Sequence, residues 1–123
     1  MRVLVVDDSR AARSLISRMM SELGFDVVQA AQGREALEQL EAHAPVDLVL
    51  VDWNMPEMNG FEFVVAARAD GRFDSIPVVM CTSETEMSQM VRALEAGASE
   101  YIMKPFTKDI LRGKLELLGL LVA

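Results

Sequence analysis

Cysteine and histidine are almost missing from this 123-residue chain, which carries only Cys81 and His43. A single cysteine excludes an internal disulfide. Cys81 lies in an apolar run and reads as a small buried hydrophobe rather than a reactive thiol. His43 stands at a helix end before Pro45 and reads as a solvated residue rather than a phosphoryl carrier. Basic residues are scarce too: 12 Lys and Arg face 19 Asp and Glu, a formal net charge of -7, and the twelve are scattered along the chain. That balance disfavours direct nucleic-acid binding. No apolar run nears the ~20 residues a membrane-spanning helix needs; residues 3–6 and 48–51 are strand-length, and the first is broken at once by Asp7 and Asp8, which rules it out as a signal-peptide core. A cytoplasmic location without membrane insertion is expected. With 4 Pro and 7 Gly there is no low-complexity tract, internal repeat or linker.

What is present is the makings of a core, with 51% hydrophobic and 25% charged residues. The length fits one domain and leaves no room for a separate effector domain beside it, so residues 1–123 are expected to fold as one unit. Two kinds of segment alternate. Short runs rich in Val and Ile at 2–6, 25–29, 47–51, 76–81 and 100–103 are mostly apolar on both faces, as buried parallel strands are. Between them lie segments with helical spacing. The residues at that spacing are Ala12, Leu15, Ile16, Met19 and Leu23; Ala36, Leu37 and Leu40; Phe61, Val64 and Val65, with Arg68; Met87, Met90, Val91 and Leu94; and Ile110, Leu111, Leu115 and Leu118. Ser9 and Thr107 are placed to cap helix starts, Ser83 with Glu86 has a capping-box pattern, and Gly24 and Gly97 stand where helices should stop.

Strands alternating with helices imply right-handed crossovers and a parallel sheet covered on both faces: a doubly wound, five-stranded α/β domain with five helices. Ligands of such sheets lie outside the carboxyl ends of the strands, where the strand order reverses. The residues that follow the strands are Asp7 and Asp8 after the first, Asp52 after the third, Thr82 after the fourth, and Lys104 with Pro105 after the fifth. Three crowded carboxylates repel one another unless a cation is present, and Mg2+, a hard ion that favours oxygen ligands and often bridges carboxylates to phosphoryl oxygens, resolves the repulsion. A carboxylate can also attack phosphorus to give an acyl phosphate, with an ammonium and a hydroxyl holding the equatorial oxygens. Asp52, Lys104 and Thr82 fit those roles.

Each residue has an ordinary structural explanation as well. Asp7 and Asp8 can open the first helix, Asp52 can belong to a turn with Asn54, Pro56, Asn59 and Gly60, Thr82 can cap a helix, and Lys104 can be a surface lysine. The conjunction favours chemistry, because it puts metal ligands, nucleophile and oxyanion groups after separate strands in a workable arrangement.

Four blocks carry a resemblance. Val5-Val6-Asp7-Asp8-Ser9, the stretch from Asp52-Trp53-Asn54-Met55-Pro56 to Asn59-Gly60, Cys81-Thr82-Ser83-Glu84, and the stretch from Gly97-Ala98 to Tyr101-Ile102-Met103-Lys104-Pro105-Phe106 resemble, in order and spacing, the motif blocks of response-regulator receiver domains of the chemotaxis type. The resemblance implies a flavodoxin-like sheet in the order 2-1-3-4-5 and a two-component signalling role. It implies that a histidine kinase phosphorylates Asp52, with Mg2+ held by Asp7, Asp8, Asp52 and the backbone carbonyl of Asn54. It also implies that Lys104 pairs with the phosphoryl group, that Thr82 and Tyr101 switch, and that Asn54 and Glu84 tune dephosphorylation towards a short-lived state. A cis Lys104–Pro105 bond is expected on the same ground. The output would be a protein partner on a surface that includes Met87, Met90 and Tyr101. Two departures stand out: Ser83 replaces the alanine or glycine common beside the threonine, and Met87 replaces a position of basic character, which leaves a flagellar-motor partner open.

Gly113 inside the last helix costs ~1 kcal/mol relative to alanine, and residues 117–122 are more apolar than a free helix end should be. Packing on the sheet, dimerisation, or a cut from a longer chain would each explain this, and packing is the expectation. Three other functions compete with the phosphorylated switch: a relay to a histidine phosphotransfer protein, a receiver-like module that is never phosphorylated, and a haloacid-dehalogenase-type phosphatase. The last normally carries its nucleophile after the first strand with a second Asp two residues on, where this chain has Asn54.

Overall fold

A computed structural model describes residues 1–122, without the side chains of 84–86. Strands and helices alternate as β1 (Arg2–Val6), α1 (Arg10–Glu22), β2 (Asp26–Ala30), α2 (Gly33–Ala42), β3 (Leu48–Asp52), α3 (Gly60–Ala69), β4 (Val78–Thr82), α4 (Met90–Ala96), β5 (Glu100–Met103) and α5 (Lys108–Leu117); a 3-10 segment, Glu84–Gln89, leads into α4. The strands form one parallel sheet in the order β2-β1-β3-β4-β5.

Successive residues of a strand point to opposite faces, and each central strand therefore feeds two cores. Leu4 and Val6 of β1, Val49 and Val51 of β3, and Val78 and Met80 of β4 pack with Ala36 and Leu40 of α2, Phe63, Val64 and Ala67 of α3, and Met90 and Ala93 of α4. The alternate residues Val3, Val5, Leu48, Leu50, Val79 and Cys81 pack with Ile16 and Met20 of α1 and Leu111 and Leu115 of α5. Each fully buried Val, Leu or Phe contributes ~1.5–3 kcal/mol, so the three central strands carry much of the stability. Strands covered on both faces have no polar side to show, which explains their unbroken apolar runs.

Several boundaries and faces differ from the sequence expectation. β2, β3 and β4 each end one residue later than expected, so that Asp52 and Thr82 are the last residues of their strands. β4 begins only at Val78, after Pro77, which lacks an N–H for the ladder. The α3 stripe is rotated: Phe63 and Ala67 are buried with Val64, whereas Val65 is exposed and Arg68 is half-buried, donating to the carbonyls of Gly97 (3.0 Å) and Phe73 (2.9 Å). Leu15, Val91, Leu94 and Ile110, placed in apolar stripes by their spacing, are exposed. Met90, expected on a partner surface, is a core residue at 3% exposure, whereas Met87 is half-buried.

Capping follows the sequence at Ser9, which accepts from Ala12 N–H, and at Thr107, which accepts from Ile110 N–H. The expected Ser83–Glu86 box involves a side chain outside the described residues. After α5 the chain turns at Gly119 (φ 75°), with Gly119 N–H bonded to the Glu116 carbonyl and Leu120 N–H to that of Leu115, the paired bonds of a Schellman end. Leu118, Leu120 and Leu121 then pack on the α1–α5 side of the sheet, in line with the packing expectation. His43 is exposed, and its carbonyl accepts from Arg2 at 2.7 Å.

Candidate functional site

Sheet register brings the polar residues level with one another. Val6 pairs with Val51, Asp52 with Cys81, and Thr82 with Met103. Asp7, Asp52, Thr82 and Lys104 therefore emerge side by side at the carboxyl edge of β1, β3, β4 and β5, with β1 at the centre of the order reversal. Asp7, Asp52 and Thr82 are buried and Asp8 is exposed.

The Lys104 ammonium bridges two of these acids, donating to Asp7 Oδ2 at 2.7 Å and to Asp52 Oδ1 at 3.1 Å. Its backbone N–H donates to the Thr82 carbonyl at 2.7 Å, and its peptide bond to Pro105 is cis, as expected. The other oxygen of Asp7, Oδ1, accepts from the backbone N–H of Ser9 at 2.9 Å, the same residue whose hydroxyl caps α1. Arg13, one turn into α1, donates to the Asp7 carbonyl at 2.8 Å. The Thr82 hydroxyl donates to the Ser83 carbonyl at 3.1 Å.

Burial pushes the Asp52 carboxyl up to about 6; the charges of Asp7 and Asp8 add to the rise and Lys104 opposes it. Burial alone would lower Lys104, but its hydrogen bond to Asp7 and the charges of Asp52 and Asp7 outweigh that, and its pKa is raised. Burial also drives the Cys81 thiol up to about 12, which keeps it protonated and unreactive as expected.

Carboxylate oxygens of Asp7, Asp8 and Asp52 lie within 4.8 Å of one another. One ammonium stands against three carboxylates, and the reluctance of Asp52 to ionise reflects its burial first and the neighbouring charges of Asp7 and Asp8 second. An all-oxygen anionic donor set with one member open to solvent matches the preferences of Mg2+, which keeps several waters. The residues present fit that ion.

The family model for the response regulator receiver domain matches residues 3–116. The chain belongs to that family. The chain is 48% identical to the chemotaxis protein CheY1 of Helicobacter pylori, over 95% of both chains, and 43% identical to a chemotaxis protein CheY homolog of Campylobacter jejuni, over 94% of this chain and 90% of that one. Among solved structures, chemotaxis protein CheY4 of Vibrio cholerae superposes with a TM-score of 0.88 at 37% identity, covering 94% of this chain and 96% of that one. The receiver is thus closely related to the CheY chemotaxis response regulators, and the dehalogenase reading is set aside.

Of the remaining expected residues, Asn54 and Tyr101 lie among those whose side chains are described. Asn54 is exposed, two residues beyond Asp52 in the β3–α3 loop. Tyr101 is half-buried on β5, with the Lys114 ammonium 4.7 Å from its ring centre. The side chain of Glu84 lies outside the described residues.

Some supporting contacts escaped the sequence reading. Asn59, read there as a loop former, caps α3: its side chain accepts from Glu62 N–H at 2.8 Å while the Glu62 carboxylate accepts from Asn59 N–H at 3.0 Å. The signal was present as Asn-x-x-Glu. Gly60 follows, its N–H bonded to the Trp53 carbonyl at 2.9 Å. Trp53 is itself buried, 6.1 Å from the Phe61 ring.

Proposed function

We propose that this receiver is phosphorylated on Asp52 by a histidine kinase in the cytoplasm, that residues 1–123 act as one receiver unit, and that the phosphoryl group controls a protein partner in chemotaxis-type signalling. The observation that carries this is the convergence of Asp7, Asp8 and Asp52 with Lys104 bonded to two of them. Asp7, Asp8, Asp52 and the Asn54 carbonyl would hold Mg2+, which when bound would offset negative charge on the phosphoryl oxygens.

An oxygen of ionised Asp52 attacks the phosphorus of a phosphohistidine. The new P–O bond forms as the P–N bond breaks, and the imidazole nitrogen leaves with the electron pair. Lys104, already pointed at Asp52, follows the charge onto an equatorial oxygen, and Thr82 rotates its hydroxyl from the Ser83 carbonyl to a second one. Movement of Thr82 vacates space towards which half-buried Tyr101 turns, and the conformer that better satisfies the new acceptors gains population. Water attack on the phosphorus reverses the modification, tuned by Asn54 and Glu84.

The output face is proposed on α4, β5 and α5, where Val91, Leu94, Met103 and Ile110 are exposed beside half-buried Met87 and Tyr101. Incubation with labelled acetyl phosphate and Mg2+, followed by peptide mapping, tests the chemistry. A base-labile label on the peptide containing Asp52, absent from Asp52→Asn, is expected. A label on another peptide would move the acceptor away from Asp52, and no label at all would leave an unphosphorylated interaction module as the better description.

A further inference from the structure

The loop from Trp53 to Asn59 carries Asn54, yet its apex makes little use of regular backbone pairing. Glu57 sits at φ 66°, a left-handed conformation unfavourable for a residue with a side chain, and Met58 N–H closes a tight turn onto the Pro56 carbonyl at 2.7 Å. Such a conformation persists where the surroundings hold it. The neighbouring residue Met58 is packed against the start of α2. A Cβ on Gly33, the first residue of α2, would stand 2.6 Å from Met58 Sδ, 2.8 Å from its Cγ and 3.0 Å from its Cβ. The methionine side chain thus occupies the seat that any side chain at position 33 would need.

We propose that Met58, seated on Gly33, is a positioning residue for the metal site, fixing the loop whose Asn54 carbonyl is a metal ligand. The inference rests on the Mg2+ reading given above. Gly33 follows β2 and Met58 follows β3, the two strands that flank β1. The contact therefore ties the start of α2 to the β3–α3 loop, on either side of the segment bearing Asp7 and Asp8. Asp7 and Asp52 are held at strand ends and by Lys104, so they keep their places without Met58. The Asn54 carbonyl lies four residues from Met58 in the loop that this contact anchors. An unbranched thioether fills the irregular space above a bare Cα well, and it also packs on the α2–α4 side of the core.

Calorimetric titration of Mg2+ into wild type, Met58→Ala, Met58→Leu, Gly33→Ala and the double Gly33→Ala/Met58→Ala variant, with urea midpoints measured on the same proteins, tests this. Met58→Ala and Gly33→Ala are each expected to weaken Mg2+ roughly tenfold, as loss of a group that orients a ligand does. Met58→Leu should stay near wild type, and the double variant should be no weaker than either single, because both act through one contact. Wild-type-like affinity in both single variants, with only the urea midpoint lowered, would reduce the contact to packing and overturn the proposal while leaving the Mg2+ reading intact. Additive losses in the double variant would overturn it too. Absence of Mg2+ binding by wild type would overturn the reading and, with it, this inference.

Discussion

A methyl group on Gly60 would stand 2.6 Å from the carbonyl oxygen of Asp52. The first turn of α3 is pressed against the backbone of the acceptor residue itself, and Met80 Cε, 2.7 Å from the same point, closes the other side. Any side chain at position 60 must therefore push on Asp52 or displace the core beneath it. Gly60→Ala should destabilise the fold by about 1–3 kcal/mol, the usual cost of overpacking, and slow phosphorylation of Asp52. Urea unfolding together with the rate of labelling by acetyl phosphate measures both.

Gly113 offers the contrast. A Cβ there meets nothing within 4 Å, and its φ is not in the left-handed region. Gly113→Ala should stabilise the receiver by roughly 0.5–1 kcal/mol by restricting the unfolded chain and favouring helix, with labelling unchanged, as a urea midpoint and a labelling rate will show.

Asp52 makes stability depend on pH. Its carboxyl titrates at about 6 in the fold against 3.8 as a free group, so the folded state holds the proton more tightly than the unfolded state. The ionised form is the strained one: between pH 4 and 6 stability contributed by this group falls as pH rises, and above pH 6 the full penalty is present. In metal-free solution Asp52→Asn should be more stable than wild type by on the order of 2–3 kcal/mol at pH 7.5, an advantage that shrinks through pH 5 and vanishes below about 4. Urea unfolding of both proteins in chelator across that range is the check, and Mg2+ at pH 7.5 should close most of the gap.

Lys104 opposes a cation and assists a phosphoryl group. Its ammonium bonds Asp7 and Asp52 and so competes with a cation for the same oxygens; Lys104→Met should tighten Mg2+ while slowing phosphorylation about 100-fold, the usual scale for losing one oxyanion donor. Calorimetry and labelling rates read the two effects separately, and a fall in both would count against this division of roles.

The fold was legible where burial is two-sided. β1, β3 and β4 announce themselves by runs of Val, Leu and Met that no amphipathic helix would carry, and parallel register then sets Asp7, Asp52, Thr82 and Lys104 level without further information. α3 was harder to read. Its sequence from Gly60 to Ala69 is apolar nearly all round, so spacing alone did not choose between Val65, which is exposed, and Phe63, which is fully buried. Met90 was placed both in the apolar stripe of α4 and on the partner surface because a methionine serves either purpose, and only the packing of α4 against α3 decides. The contacts of Gly60 with Asp52 and of Gly33 with Met58 gave no signal, since a glycine shows what it must avoid only once its neighbour is known.

Trp53 provides the most direct test, being buried beside Asp52 and bonded through its backbone N–H to the Cys81 carbonyl. Its fluorescence, titrated with Mg2+ and then with beryllofluoride in wild type and in Asp52→Asn, reads metal binding and occupation of the acceptor in turn. The expected result is a saturable Mg2+ response followed by a beryllofluoride response that requires Mg2+ and is absent in Asp52→Asn. No response to either in wild type, or an equal beryllofluoride response in Asp52→Asn, would contradict phosphorylation at Asp52.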